Sequence, residues 1–71
     1  MIITTVKDLK ANVFFNPVVQ NNEEEAKRTW ELIKRDQEPI KSYPKDFEMW
    51  KLADYKKETG EIIPNKYKLE G

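Results

Sequence analysis

Apolar and polar positions change period twice along the chain, and each change marks an element. Residues 2–7, Ile-Ile-Thr-Thr-Val-Lys, are rich in β-branched side chains, which suit a pleated backbone, and they predict a first strand. Asp8 to Asn12 reads as a turn or irregular link. Val13-Phe14-Phe15 resumes strand character and Val18-Val19 can continue it. Pro17 stands between them and has no N–H to give to a ladder, so this second strand is predicted at a sheet edge or bent there. A hairpin is the simplest pairing of the two.

The period then becomes helical. Ala26, Trp30 and Ile33 recur at helical spacing, with Leu32 beside them. Asn21 or Asn22 can cap the start by accepting a bond from a free N–H of the first turn. Asn22 with Glu25 has the spacing of a capping box, with Asn in place of Ser or Thr. Glu23, Glu24 and Glu25 sit where the helix dipole is positive, and Lys34 and Arg35 where it is negative. The helix is expected to end near Asp36, before Pro39.

Residues 37–46 carry Pro39 and Pro44 and predict a loop. Phe47 to Tyr55 alternates as a third strand. One face is Phe47, Met49, Lys51, Ala53 and Tyr55; the other is Glu48, Trp50, Leu52 and Asp54. Glu58-Thr59-Gly60 predicts a hairpin turn, because glycine reaches positive φ without strain. Glu61-Ile62-Ile63 is then a fourth strand, stopped by Pro64. Residues 66–71 are expected to fray, although Tyr67 and Leu69 can dock.

The predicted fold is therefore α+β: a small antiparallel sheet of about four strands in the order β-β-α-β-β, with one helix packed on one face. A single helix covers only one side of such a sheet. Since both faces of the third strand carry large apolar groups, the other side is expected to remain open to a partner. A homodimer is one way to cover it.

Composition narrows the chemistry more than it names it. With 71 residues the chain is expected to be one domain, residues 1–71, with a thin core that buries only about 60% of the unfolded surface. There is no cysteine and no histidine, which removes disulfides, Cys/His zinc sites and the common nucleophile–base pairs. Ser42 lies in a proline-flanked loop without an activating partner, and two glycines cannot build a phosphate-cradling loop. Glu23, Glu24 and Glu25 can bind a divalent cation weakly, but compensation of the helix dipole accounts for them better. The expectation is a protein that is not an enzyme, has no cofactor, metal or small-molecule substrate, and acts by binding. No segment is long and apolar enough to span a bilayer, so no membrane role is expected.

Charge is balanced, with 13 basic and 13 acidic residues, so no global field draws the chain to DNA. Binding to nucleic acid must come from a local patch. On the helix, Glu23–Lys27, Glu24–Arg28 and Glu31–Arg35 are spaced for ion pairs that would neutralise most of its basic side chains. The strands offer more. Aromatic rings there, with lysines near them in sequence, can stack single-stranded bases. The candidate nucleic-acid or partner surface is Lys7, Lys10, Phe14, Trp50, Lys51, Tyr55, Lys56 and Lys57. Against it stands the need for most of eight aromatic residues in so small a core.

Several stretches resemble the small nonstructural protein of gokushoviruses, single-stranded DNA phages of the Microviridae. They are Val6-Lys7-Asp8-Leu9-Lys10-Ala11, then Phe15-Asn16-Pro17-Val18-Val19 with an Asn and the helix bearing Ala26 and Arg28. Tyr43-Pro44-Lys45-Asp46-Phe47-Glu48-Met49-Trp50-Lys51-Leu52 follows, and Asp54-Tyr55 ahead of Glu58-Thr59-Gly60-Glu61-Ile62 completes the set. The resemblance covers roughly residues 6–63 and rests on order and spacing. Relatives tend to have His-Pro-Glu-Asp-Phe in place of the stretch from Tyr43 to Phe47, an apolar-Gly pair in place of Leu52-Ala53, and a longer C-terminal tail. The resemblance implies a noncapsid protein of phage DNA replication, in the cytoplasm of the infected bacterial host. It implies assistance to the switch from duplex replication to single-strand synthesis and packaging, with DNA or a viral or host replication protein as partner. It carries no catalytic residues over to this chain.

Overall fold

The computed structural model describes all 71 residues. Its elements are β1 (Ile2–Asp8), β2 (Val13–Phe14), β3 (Val18–Gln20), α1 (Glu23–Asp36), β4 (Phe47–Lys56) and β5 (Glu61–Glu70), with a short 3-10 turn at Pro44–Asp46 before β4. All strand pairs are antiparallel, in the order β2-β1-β4-β5, and β3 also pairs with β1. The fold is α+β, as the alternation of periods predicts.

β1 and β4 are the interior strands. β4 runs along one side of β1, while β2 and β3 share the other. Pro17 explains the division: the second predicted strand is broken at Phe15–Pro17 into two short pieces. Two threonines of β1 hold the break. The Thr5 hydroxyl donates to the Phe15 carbonyl at 2.7 Å and the Thr4 hydroxyl to the Val18 carbonyl at 3.3 Å. Thr4 and Thr5 are buried, and these bonds account for polar groups placed there. Asp8 closes the β1–β2 turn, its Oδ1 accepting from the amides of Lys10 and Ala11 at 3.0 Å each. Gly60, at φ 77°, turns β4 into β5.

The helix begins at its predicted cap: the Asn22 side chain accepts from the Glu25 amide at 2.8 Å. Ala26 and Trp30 lie fully buried and Ile33 packs beside them. Leu32 falls off this stripe and is exposed. The three expected ion pairs do not form. Lys34 meets Glu31 at 2.9 Å and Arg35 turns to its neighbour Asp36. Exposed pairs of this kind contribute so little that solvent competes with any one arrangement.

One side of the sheet meets the helix. Ile2, Val6, Phe47 and Met49 gather around Ala26 and Trp30, and Ile40, from the loop after the helix, closes the cluster. Seven residues make this core, so each carries a large share of the stability. The second difference from the sequence reading lies at the C-terminus. The last strand passes through Pro64 and continues to Glu70, so residues 66–70 are strand and not a frayed tail. Pro64 is tolerated because β5 is an edge strand. Tyr67 and Leu69 do dock: Leu69 packs against the core, and the Tyr67 hydroxyl reaches the helix.

Candidate nucleic-acid interface on the open sheet face

The side of the sheet away from the helix carries the aromatic cluster. Register fixes its members. Lys7 of β1 is flanked by Phe14 of β2 and Glu48 of β4, and Trp50 of β4 is flanked by Thr5 and Lys68. Phe14 and Trp50 meet edge to face, with centroids 6.0 Å apart and planes at 86°. This is the arrangement that ring quadrupoles favour.

Two ammonium groups lie over this pair. Lys7 Nζ is 5.3 Å from the centroid of Phe14 and 5.7 Å from that of Trp50. Lys66 Nζ is 4.6 Å from Phe14 and 5.6 Å from Trp50. Lys66 belongs to β5, and two strands separate β5 from β2 in the sheet order. Neighbouring strands lie about 4.8 Å apart, so this reach requires the sheet to curl toward its open side. The face is thus a trough, with Trp50 half-buried in its floor and Phe14 37% exposed on its flank.

Glu48 is the acidic member. Its Oε1 accepts from Trp50 Nε1 at 3.1 Å, and its Oε2 lies 3.5 Å from Lys68 Nζ. One carboxylate therefore fixes the indole and holds a third lysine. The open side combines aromatic rings with ammonium groups. Exposed apolar side chains also line the broken edge, at Val13, Phe15, Val18 and Val19, and others stand at Leu9, Leu32, Ile62 and Ile63.

Of the sequence-predicted surface, Lys7, Phe14 and Trp50 come together here. Lys10 lies in the β1–β2 turn. Lys56 sits at the far hairpin beside Glu61, 3.7 Å away, and Lys57 is exposed in that turn. Tyr55 closes the end of β4, where its backbone exchanges bonds with Met1. Lys66 and Lys68 escape the sequence reading because they fall in the stretch expected to fray. Alternating Lys66-Tyr67-Lys68-Leu69 is the signal that was present: period two continues through Pro64.

Lys51 belongs to the other face and is only 5% exposed. Its Nζ is 2.8 Å from Asp54 Oδ1 and 3.3 Å from the Tyr67 hydroxyl, which donates in turn to Glu23 Oε2 at 2.6 Å. Residues three apart in a regular strand point to opposite sides. The register slip between Lys51 and Ala53 brings Lys51 and Asp54 to one side. The Asp54 bond holds the Lys51 ammonium above its usual range, and Lys51 holds the Asp54 carboxyl below its own. Acceptance by Glu23 raises Tyr67. The chain ties β4 and β5 to the first turn of the helix.

No three acidic side chains converge as a metal would need, and no helix is long and apolar enough to cross a membrane. Neither the comparison with curated proteins nor that with solved structures gave a match. The comparison with protein-family models matches the family described as Phage ORF5 protein over residues 1–69, and the chain belongs to that family.

Proposed function

We propose that this phage protein is nonenzymatic and assists viral DNA synthesis in the host cytoplasm, at the switch toward single-strand synthesis and packaging, by binding DNA through the open face of its sheet. The cluster of Phe14 and Trp50 under Lys7 and Lys66 supports this reading more than any other feature. It concentrates positive charge and aromatic surface on a chain with no net charge, which is the local patch that binding requires. Titration of a labelled oligonucleotide with the protein at low and at moderate salt tests it. Binding that weakens as salt rises is expected, since lysines that meet phosphates release counterions. Absence of binding at tens of micromolar protein in low salt removes the reading.

The exposed apolar side chains along the broken edge, Val13, Phe15, Val18 and Val19, favour a second reading, a homodimer that acts through protein contacts. Light scattering coupled to size exclusion separates the two. A dimer abolished by Val18→Asp supports the second; a strict monomer at high concentration opposes it.

A further inference from the structure

We infer that Phe14 and Trp50 form a stacking platform for unpaired bases, so that the open face takes single-stranded DNA and discriminates against duplex. The inference rests on the DNA-binding reading above and specifies its ligand. Three features of the trough carry it.

The first is what already occupies the rings. The ammonium groups of Lys7 and Lys66 lie 4.6–5.7 Å from the ring centroids, over surfaces where a flat base can also lie. Both side chains are long and single-tethered, so they can swing aside. A base that stacks on Phe14 or Trp50 takes the place of an ammonium, and the freed ammonium lies close to the phosphates flanking that base. Aromatic surface and charge are thereby used together, in the manner of single-strand grooves.

The second is the geometry of the rings. At 86° to each other they form a notch and not a flat shelf. A notch admits one or two splayed bases. In a duplex the base faces are stacked on each other and cannot reach it.

The third is Glu48, a positioning residue. Its carboxylate orients the Trp50 indole through Nε1 at 3.1 Å and holds Lys68 at 3.5 Å. It also places a negative charge beside the path of a phosphate backbone. Glu48 therefore orders the platform and weakens its hold, and Lys68 becomes available to phosphate when that charge is removed.

The test uses the full chain and a short fluorescein-labelled oligothymidine, alone and annealed to oligoadenine. The single strand is expected to bind about tenfold more tightly than the duplex, within the range of one stacked base. Phe14→Leu and Trp50→Leu each keep an apolar side chain and remove the ring. Each is expected to erase that preference while duplex affinity stays put. Should Trp50→Leu fail to fold by circular dichroism, Phe14→Leu reads the same point from a more exposed position. Quenching of Trp50 by oligothymidine, in a Trp30→Phe background, is an independent readout.

Glu48→Gln keeps an acceptor for the indole and loses the charge; it is expected to tighten single-strand binding severalfold at low salt. Glu48→Ala loses the acceptor as well, and the single-strand preference falls. Equal affinity for strand and duplex, unchanged by loss of either ring, overturns the platform and leaves DNA binding standing. Failure of both probes to bind in low salt overturns the platform together with the reading beneath it. A Glu48→Gln variant no tighter than the parent removes the role given to Glu48.

Discussion

Trp50 and Lys51 are neighbours in one strand and meet opposite surroundings. The tryptophan stands half in solvent on the open face, while the lysine is buried on the face that meets the helix. Hydropathy alone would exchange them. The difference lies in what each side of the sheet offers. The covered side supplies partners for a charge, in Asp54 and the Tyr67 hydroxyl, so the Lys51 ammonium is desolvated without being left alone. The open side supplies ring and cation contacts to Trp50, through Phe14, Lys7 and Lys66, and an acceptor for its indole in Glu48. The covered side thus holds the core, and the open side leaves rings and ammonium groups within reach of solvent.

Four experiments sharpen or break this contrast. The largest effect is expected on the covered side. Trp30 is fully buried, and Trp30→Ala should cost about 3–5 kcal/mol in urea unfolding, comparable with the whole stability of a chain this small. A loss below about 1 kcal/mol would mean that the helix does not rest on that ring. On the open side, Trp50→Leu is expected to cost only about 1 kcal/mol, as a half-buried position away from the core should. Equal losses at the two tryptophans would erase the contrast.

The next experiment follows pH. The carboxyl of Asp54 is lowered in the folded chain, so its contribution is present above the unfolded value of about 4 and is lost as pH falls through the folded value. Lys51 and Tyr67 are raised, so theirs is complete below about 10 and is lost as pH rises through their folded values. Stability should therefore decline at both ends. Lys51→Met is expected to lower stability modestly near neutrality and to flatten the acid decline, because it removes one partner of the pair and leaves the partly exposed Asp54 carboxylate to solvent. Unfolding midpoints across the pH range decide it. The smallest effect is kept for last: Lys7→Ala should leave the unfolding midpoint in place and lower the salt slope of single-strand binding by about 0.7, the share of one phosphate contact.

Elements with a strong local cause were legible in the sequence. The helix could be read to its cap because Asn22, the glutamates and the spacing of Ala26, Trp30 and Ile33 agree. β4 could be read because its alternation is long. β5 was half legible, since Pro64 looks like a stop when its neighbours are considered alone; only the sheet shows that the strand lies at an edge, where a missing N–H is tolerated. That misreading hid Lys66 and Lys68, and with them part of the candidate interface. The face of Lys51 was legible, since alternation groups it with Phe47, Met49 and Ala53. Its partner was not: a register slip after Lys51 brings Asp54 to that same face and leaves no mark in hydropathy.

β5 has a consequence for how these molecules behave together. It is ten residues long with one flank free, the kind of margin on which a neighbour can extend a sheet without limit. A proline and two register slips interrupt its regular spacing, and two lysines raise the charge along it. Growth into fibres by zippering along that margin is thereby opposed, and separate copies of the chain are kept from joining edge to edge.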